Sequence, residues 1–343
     1  VMVSDYSSGS SSGAGRDFYI PGTIPVGSGS GENYLDFHAK ESRINFRSTH
    51  NLDNGAKLGT FIEFDFQLPA GGNERVSNSF APRMRHAFFT YNNWLVGQTW
   101  MTFFNVGALP ENLDFVGPAE STIFGRQPMI RYTAGNWQFA LENPETTITP
   151  YGGGGRIVSD DNTMPDAVVR YNMKGDWGSF TVAGLFRQLR YDNNSTIKDS
   201  TTSYGISASG KFVFGNKDDF RWMVSTGKGM GRYMGLNTAN GAVLDADGNL
   251  HAIDSTGVFG SYRHLWSDKL RSNFTVGYLS VDNDTALTGF GVTKNATSYH
   301  VNLIYSPQPK LDFGAEFIYA DREIESGADG DMTRFQFSAK YAF

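Results

Sequence analysis

Met332-Thr-Arg-Phe-Gln-Phe-Ser-Ala-Lys-Tyr-Ala-Phe343 puts Phe335, Phe337, Ala339, Tyr341 and Phe343 on one parity and Arg334, Gln336, Ser338 and Lys340 on the other. Successive side chains of a strand point to opposite faces, so this run has one aromatic face and one wet, basic face. An aromatic face that closes on Phe343 suits a membrane interface better than a soluble surface. The run reads as a transmembrane β-strand, and the remainder of the chain repeats the pattern.

Composition agrees with a barrel. Aromatic residues make up 14% of the 343 residues while all hydrophobic types reach only 39%, and the mean hydropathy is −0.36. No run approaches the ~18 consecutive apolar residues that a membrane helix needs. A lipid-facing strand needs an apolar residue only at every second position, so a membrane barrel can look hydrophilic on average. Cysteine is absent, which removes disulfides, thiolate chemistry and Cys-ligated metal sites. The net charge of −6 weighs against nucleic acid as a partner. Val1 to Gly15 lacks a basic segment and an apolar stretch, so any secretory signal is expected to be gone already. Residues 1–16, rich in Ser and Gly, are expected to be a flexible leader to a single domain over 17–343.

Alternating segments of about ten residues, separated by turn chemistry, continue along the chain. About sixteen can be drawn, an even number in the porin range. The first, Asp17 to Val26, carries Pro21 and Pro25, which cannot donate to a ladder. Phe37–Thr49, Leu58–Leu68, Arg83–Tyr91, Trp94–Phe103, Gly125–Thr133 and Trp137–Asn143 follow. Asp166–Asn172, Trp177–Arg190, Tyr204–Phe214, Phe220–Lys228, Ser255–Trp266, Leu270–Val281, Ser298–Tyr305 and Leu311–Arg322 lead to the closing strand. Short turns such as Asn92-Asn93, Gly135-Asn136 and Gly215-Asn216 alternate with long loops, and Trp residues crowd the strand ends as in interfacial girdles. A soluble propeller or double sandwich is the alternative, but no fixed repeat marks a blade.

The long segment 104–124 holds several apolar residues with Glu111 and Asp114, an odd content for a loop left in water. It is expected to fold inward as a constriction.

Arg83-Met-Arg-His-Ala-Phe, Leu95-Val-Gly-Gln-Thr-Trp100, Leu109-Pro-Glu-Asn-Leu-Asp-Phe115, Arg126-Gln-Pro-Met-Ile-Arg-Tyr132 and Leu141-Glu-Asn-Pro-Glu145 together resemble the DcaP-like family of trimeric outer-membrane porins. The likeness is carried by motif from Phe37 to Pro144 and by strand layout beyond. It implies a sixteen-stranded homotrimer with an inward third loop, passive uptake of small anions, especially dicarboxylates, and no cofactor. Its implied surroundings are outer-membrane lipid and lipopolysaccharide. Many relatives carry an N-terminal coiled coil that has no counterpart in this sequence.

Parity alone sends a set of cations inward: Arg43 and Arg47 against Ile44 and Phe46, Arg131 against Ile130 and Tyr132, and Arg170 against Val169 and Tyr171. Lys211, Arg271, Arg334 and Lys340 follow, and Arg83, Arg85 and Arg187 obey the same rule on less regular strands. Arginine grips a carboxylate through two parallel bonds and stays charged at any working pH. A row of such groups along a wet wall favours anions, with Glu111 and Asp114 facing them across the pore. Equally, these arginines can pair with Glu41, Glu63, Asp65, Asp166 and Glu316 and simply stiffen the wall. A general diffusion pore and a structural or adhesive barrel are the other readings.

Remaining motifs carry less. Asp245-Ala-Asp-Gly-Asn249 begins like a calcium loop but lacks the distal Glu. The glycines at 152–155 have no Lys-Ser/Thr after them, and Lys228 to Gly235 opens no helix, so neither cradles phosphate. The glycosylation patterns Asn193-Asn-Ser195 and Asn283-Asp-Thr285 have no meaning in a bacterial barrel. His300 and Asn302 share an inward face, yet no nucleophile elbow occurs, and an enzyme is not expected.

Overall fold

The computed structural model describes residues 1–11, 13–67, 71–73, 75–215 and 217–343. Its wall strands are β1 (Met2–Tyr6), β2 (Glu32–Asp36), β3 (Ile44–Asn51), β4 (Lys57–Asp65), β5 (Arg83–Tyr91), β6 (Trp94–Trp100), β7 (Arg126–Ala134), β8 (Trp137–Glu142) and β9 (Asp166–Gly175). They continue as β10 (Gly178–Asp192), β11 (Lys198–Phe214), β12 (Asp218–Lys228), β13 (Asp254–Ser267), β14 (Leu270–Asp282), β15 (Thr293–Gln308), β16 (Leu311–Ile324) and β17 (Asp329–Tyr341).

From β3 to β17 each strand pairs antiparallel with its chain neighbour. The last then pairs with β1, which pairs with β2. The 17-stranded ladder ends at β2 and β3, which do not pair among the described residues and leave it open there. Alternating directions around the ladder make β2 and β3 run the same way, so residues 37–43 interrupt a line of travel instead of reversing it.

Tight turns lie at one end. Asn92 (φ 50°) and Gly135 (φ 58°) take the left-handed conformation that two-residue hairpins demand, which Asn and Gly adopt at little cost. Long connections gather at the other end, where Thr146–Thr149, Ile157–Ser159, Ala242–Leu244 and Leu250–Ala252 form a separate four-stranded sheet.

The two faces of the wall invert the soluble pattern. In β15, Tyr299, Val301 and Leu303 are exposed while Ser298, His300 and Asn302 are buried. Apolar groups outside and polar groups inside suit lipid around a barrel. Exposed Trp94, Trp137, Trp177 and Trp266 sit at the tight-turn end and form an interfacial belt there.

Chain segments cover part of the inner face. Phe18, Tyr19 and Ile24 of segment 7–31, Phe103, Phe104 and Ile123 of segment 101–125, and Tyr233 of segment 229–253 share one buried cluster. This corrects two expectations. Residues 1–16 are no flexible leader, because Met2–Tyr6 forms β1 and the Tyr6 hydroxyl donates to the Gly15 carbonyl at 2.9 Å. Asp17–Val26 is not a strand either: a short helical turn at Ala14–Asp17 and a 3-10 turn at Pro21–Thr23 replace it, since proline supplies the turn geometry and no ladder donor. The expected strand Phe37–Thr49 begins only at Ile44. Leu68 and Asn216, placed at a strand end and in a turn, lie outside the described residues.

Candidate channel lumen and constriction

The third loop, 101–125, lies against the inner face of β12 to β16. Glycines on that face admit it: a Cβ at Gly277 would collide with the Glu120 carboxylate and come 2.7 Å from the Pro118 Cβ. One at Gly314 would come 2.7 Å from both Leu113 methyls. Polar groups then fix the loop. Glu316 accepts from the amides of Leu113 (2.7 Å) and Asp114 (3.2 Å), and Arg221 donates to the Leu109 carbonyl at 2.6 Å. Arg271 forks onto Glu111 at 2.9 and 2.6 Å, with Arg263 at 3.7 Å from the same carboxylate.

Asp114 points away from water. It accepts from the amides of Tyr19 (2.8 Å), Val116 (3.2 Å) and Gly117 (3.2 Å), tying segment 7–31 to the loop. Glu120 is wholly buried and takes the Ser298 hydroxyl at 2.9 Å. Burial, with no cation bonded to it among the described residues, pushes its carboxyl up to about 7.

With the loop on one side, the arc from β3 to β9 is the freer part of the inner wall. Phe115, on the loop, has three guanidinium groups near its ring: Arg43 at 5.8 Å, Arg83 at 5.6 Å and Arg85 at 5.6 Å. Arg83 forks onto Asp65 at 2.8 and 2.6 Å. Arg85 bridges Glu63 at 2.7 Å and Asp65 at 2.8 Å. Both carboxylates are therefore already neutralised by hydrogen-bonded partners. Arg43 and Arg47 are exposed and form no ion pair among the described residues, although Glu41 is near Arg43. Arg126 stacks over Trp100 at 3.7 Å, and its Nε and Nη2 have no hydrogen-bond partner among the described residues. Arg131 likewise has no ion pair among the described residues.

The other inward cations divide by environment. Arg170 donates to the Phe104 carbonyl at 2.6 Å and to Asn172 at 2.7 Å, holding the root of the loop. Lys211 stands across from Ser179 and Arg221 without an ion pair among the described residues. Lys340 is exposed and 3.3 Å from Asp312.

Two expected lumen cations are instead structural. Arg187, 1% exposed, binds Asp166 at 3.0 Å and the carbonyls of Glu145, Gly229 and Met230. Arg334, 0% exposed, donates to Ser4, Tyr6 and the Gly15 carbonyl, with Asp114 at 3.8 Å. Parity gave their side correctly, but chain segments rather than water fill the space before them. The stiffening alternative holds for Arg83, Arg85 and Arg187; Glu316 serves the loop amides and His300. Parity also missed Arg126, which shares the parity of Ile130 and Tyr132 yet stacks on Trp100, because it opens β7 directly after the loop. In the outer loop, Asp245 accepts from the amides of Asp247 and Asn249 and from His251, and these bonds hold its carboxyl well below the usual range. That carboxylate organises a turn.

A family model described as DcaP outer membrane protein matches residues 5–343. The chain belongs to this family. It is an outer-membrane channel protein, and this porin assignment is not that of an enzyme. The solved outer-membrane channel DcaP of Acinetobacter baumannii superposes with a TM-score of 0.80 at 21% identity, covering 100% of this chain and 95% of that one. OmpF of Salmonella typhi gives 0.58 at 10% identity, with 100% and 97% covered. An anion-selective porin from Comamonas acidovorans gives 0.55 at 12% identity, with 100% and 96% covered. These likenesses establish a porin-type fold. No curated protein sequence matches the chain.

Proposed function

We propose that this DcaP-family channel passes small anions selectively and passively, with dicarboxylates as the preferred class. The observation that carries this reading is the set Arg43, Arg47, Arg126 and Arg131, which has no ion pair among the described residues, beside Asp65 and Glu63, already held by Arg83 and Arg85. Fixed positive charge in a narrow, low-dielectric passage concentrates anions, and several weak sites in series let them leave again. The resemblance of motifs supplies the dicarboxylate class, and guanidinium forks suit carboxylates. The anion-selective porin from Comamonas acidovorans, similar in fold, supports the same direction.

The strand directions support sixteen staves. If β2 and β3 are the two halves of one interrupted stave, the wall closes with an even number, as an antiparallel barrel requires. Residues 37–43 then form its weak place, flanked by exposed Leu35, Phe37, Ile44 and Phe46. Backbone left out of the ladder is costly against hydrocarbon, so a further copy of the chain is the fitting cover for this arc, in keeping with a homotrimer. Elsewhere the apolar exterior meets outer-membrane lipid, with lipopolysaccharide around the long-loop end.

Reversal potentials across a planar bilayer in a potassium chloride gradient test the reading. Chloride preference is expected, and cation preference would overturn it. Saturable block of that current by succinate separates selective uptake from general diffusion.

A further inference from the structure

Beneath the root of the third loop, at the tight-turn end, a cavity of about 560 Å³ opens between the loop and strands β7 to β10. Its lining contains Arg131, Arg170 and Lys174 but no Asp or Glu. That separates it from the aperture around Phe115, where Arg83 and Arg85 carry bonded carboxylates. Arg170 is partly engaged by the Phe104 carbonyl and Asn172, whereas Arg131 has no bonded group among the described residues. Thr133, Gln138, Ser179 and Thr181 add uncharged donors, and Trp100 and Phe104 supply an apolar flank.

We propose that this cavity is a second anion subsite that holds one carboxylate of an organic solute, with Arg131 as its principal contact. One unengaged guanidinium fork matches one carboxylate, through two parallel charge-assisted bonds. Arg170 and Lys174 add positive potential without an acidic counter-charge in the lining, and the solute's carbon skeleton rests on Trp100 and Phe104. Trp100 also carries Arg126 on its ring, so the subsite adjoins the aperture. Arg131 lies five positions after Arg126 in β7, about 17 Å along a strand, far enough for two stations in succession. Binding at a site near one mouth makes the channel asymmetric: a carboxylate added on the tight-turn side reaches Arg131 before the aperture.

This subsite rests on the anion-channel reading, and the test separates the two. Succinate block of chloride current is measured from each side in oriented single channels of the wild type, Arg131→Gln and Arg131→Lys. Because Arg131 forms no hydrogen bond or ion pair among the described residues, its replacement breaks no polar bond that holds the barrel. Wild type is expected to bind succinate more tightly from the tight-turn side. Arg131→Gln weakens that side by roughly tenfold, the order expected for a lost charge-assisted pair. Arg131→Lys falls between, since it keeps the charge and loses the fork. Anion-selective wild type with equal tight-turn block in all three proteins would overturn the subsite and leave the channel reading standing. Cation-selective wild type would overturn both.

Discussion

Arg334 and Arg131 are the same residue type on the same side of the same wall, yet they live in opposite surroundings. Arg334 lies in the arc from β10 to β17, where the third loop and segment 7–31 press onto glycine-notched strands and leave its guanidinium wholly buried. Arg131 lies in the arc from β3 to β9 and borders open space. A charge in the first arc is held by hydrogen bonds as part of the architecture, and its removal strands polar partners away from water. A charge in the second keeps its donors for a solute. Inward parity is thus necessary for a pore residue and not sufficient; what decides is whether the chain itself has filled the space in front.

The contrast can be broken most forcefully at Arg334. Arg334→Ala should cost about 3–5 kcal/mol by stranding buried partners, read as an earlier thermal transition in detergent, while Arg131→Gln should shift the transition by less than about 0.5 kcal/mol. Equal melting of the two variants would erase the distinction. Next, Gly277→Leu drives a side chain into Pro118 and Glu120, a misfit of about 1–3 kcal/mol. The loop should lift toward the open arc and lower the single-channel conductance; an unaltered conductance would mean that the glycine notch does not position it.

The open arc is probed by replacing Arg43, Arg47 and Arg126 together with Gln. Chloride-to-potassium permeability should fall several-fold, on the order of 1 kcal/mol in all for three fixed charges screened in a wet pore, whereas Arg187→Gln should leave the ratio alone whatever it does to stability. A smaller effect is expected with pH at Glu120. Its folded carboxyl titrates near 7, above its ordinary value, so its contribution to loop anchoring is full below about pH 4.5 and fades as pH rises through 7. Loop-related current noise should grow between pH 5 and 8 in wild type and stay flat in Glu120→Gln. Least of all, the Asp245 turn should persist down to strongly acidic pH, because its depressed carboxyl stabilises the turn above its ordinary value and loses that effect only as pH falls through the lowered one. Amide exchange in Ala242–Ala252 would report this, and protection lost already at pH 5 would contradict it.

Period-two patterning made most of the wall legible. β5 runs over Arg83–Tyr91 as drawn from the sequence despite its less regular alternation, and the starts of β8 and β14 at Trp137 and Leu270 follow from the turns before them. The inward third loop was legible too, from apolar residues that water would not tolerate. Less visible were features that depend on distant chain filling the barrel. Ser and Gly in residues 7–15 look like a solvated leader, and the packing of Phe18, Tyr19 and Ile24 against the loop, with the Tyr6–Gly15 bond, shows otherwise. Trp100 read as a belt residue, but the wall's end bends it toward Phe104 and Phe124. Arg126 was hidden by the same bend.

Among the described residues, every pairing in the wall joins neighbours along the chain except the one between β1 and β17. Hairpins can therefore zip in sequence at small entropic cost, whereas Met2–Tyr6 must find residues about 330 positions away. Five residues give that seam few ladder bonds, and Arg334, bonded to Ser4, Tyr6 and Gly15, acts as a latch across it. Snapping this latch shut would be a late event of biogenesis, and the arginine expected to greet passing anions would instead time the moment at which the chain's first strand is joined to its last.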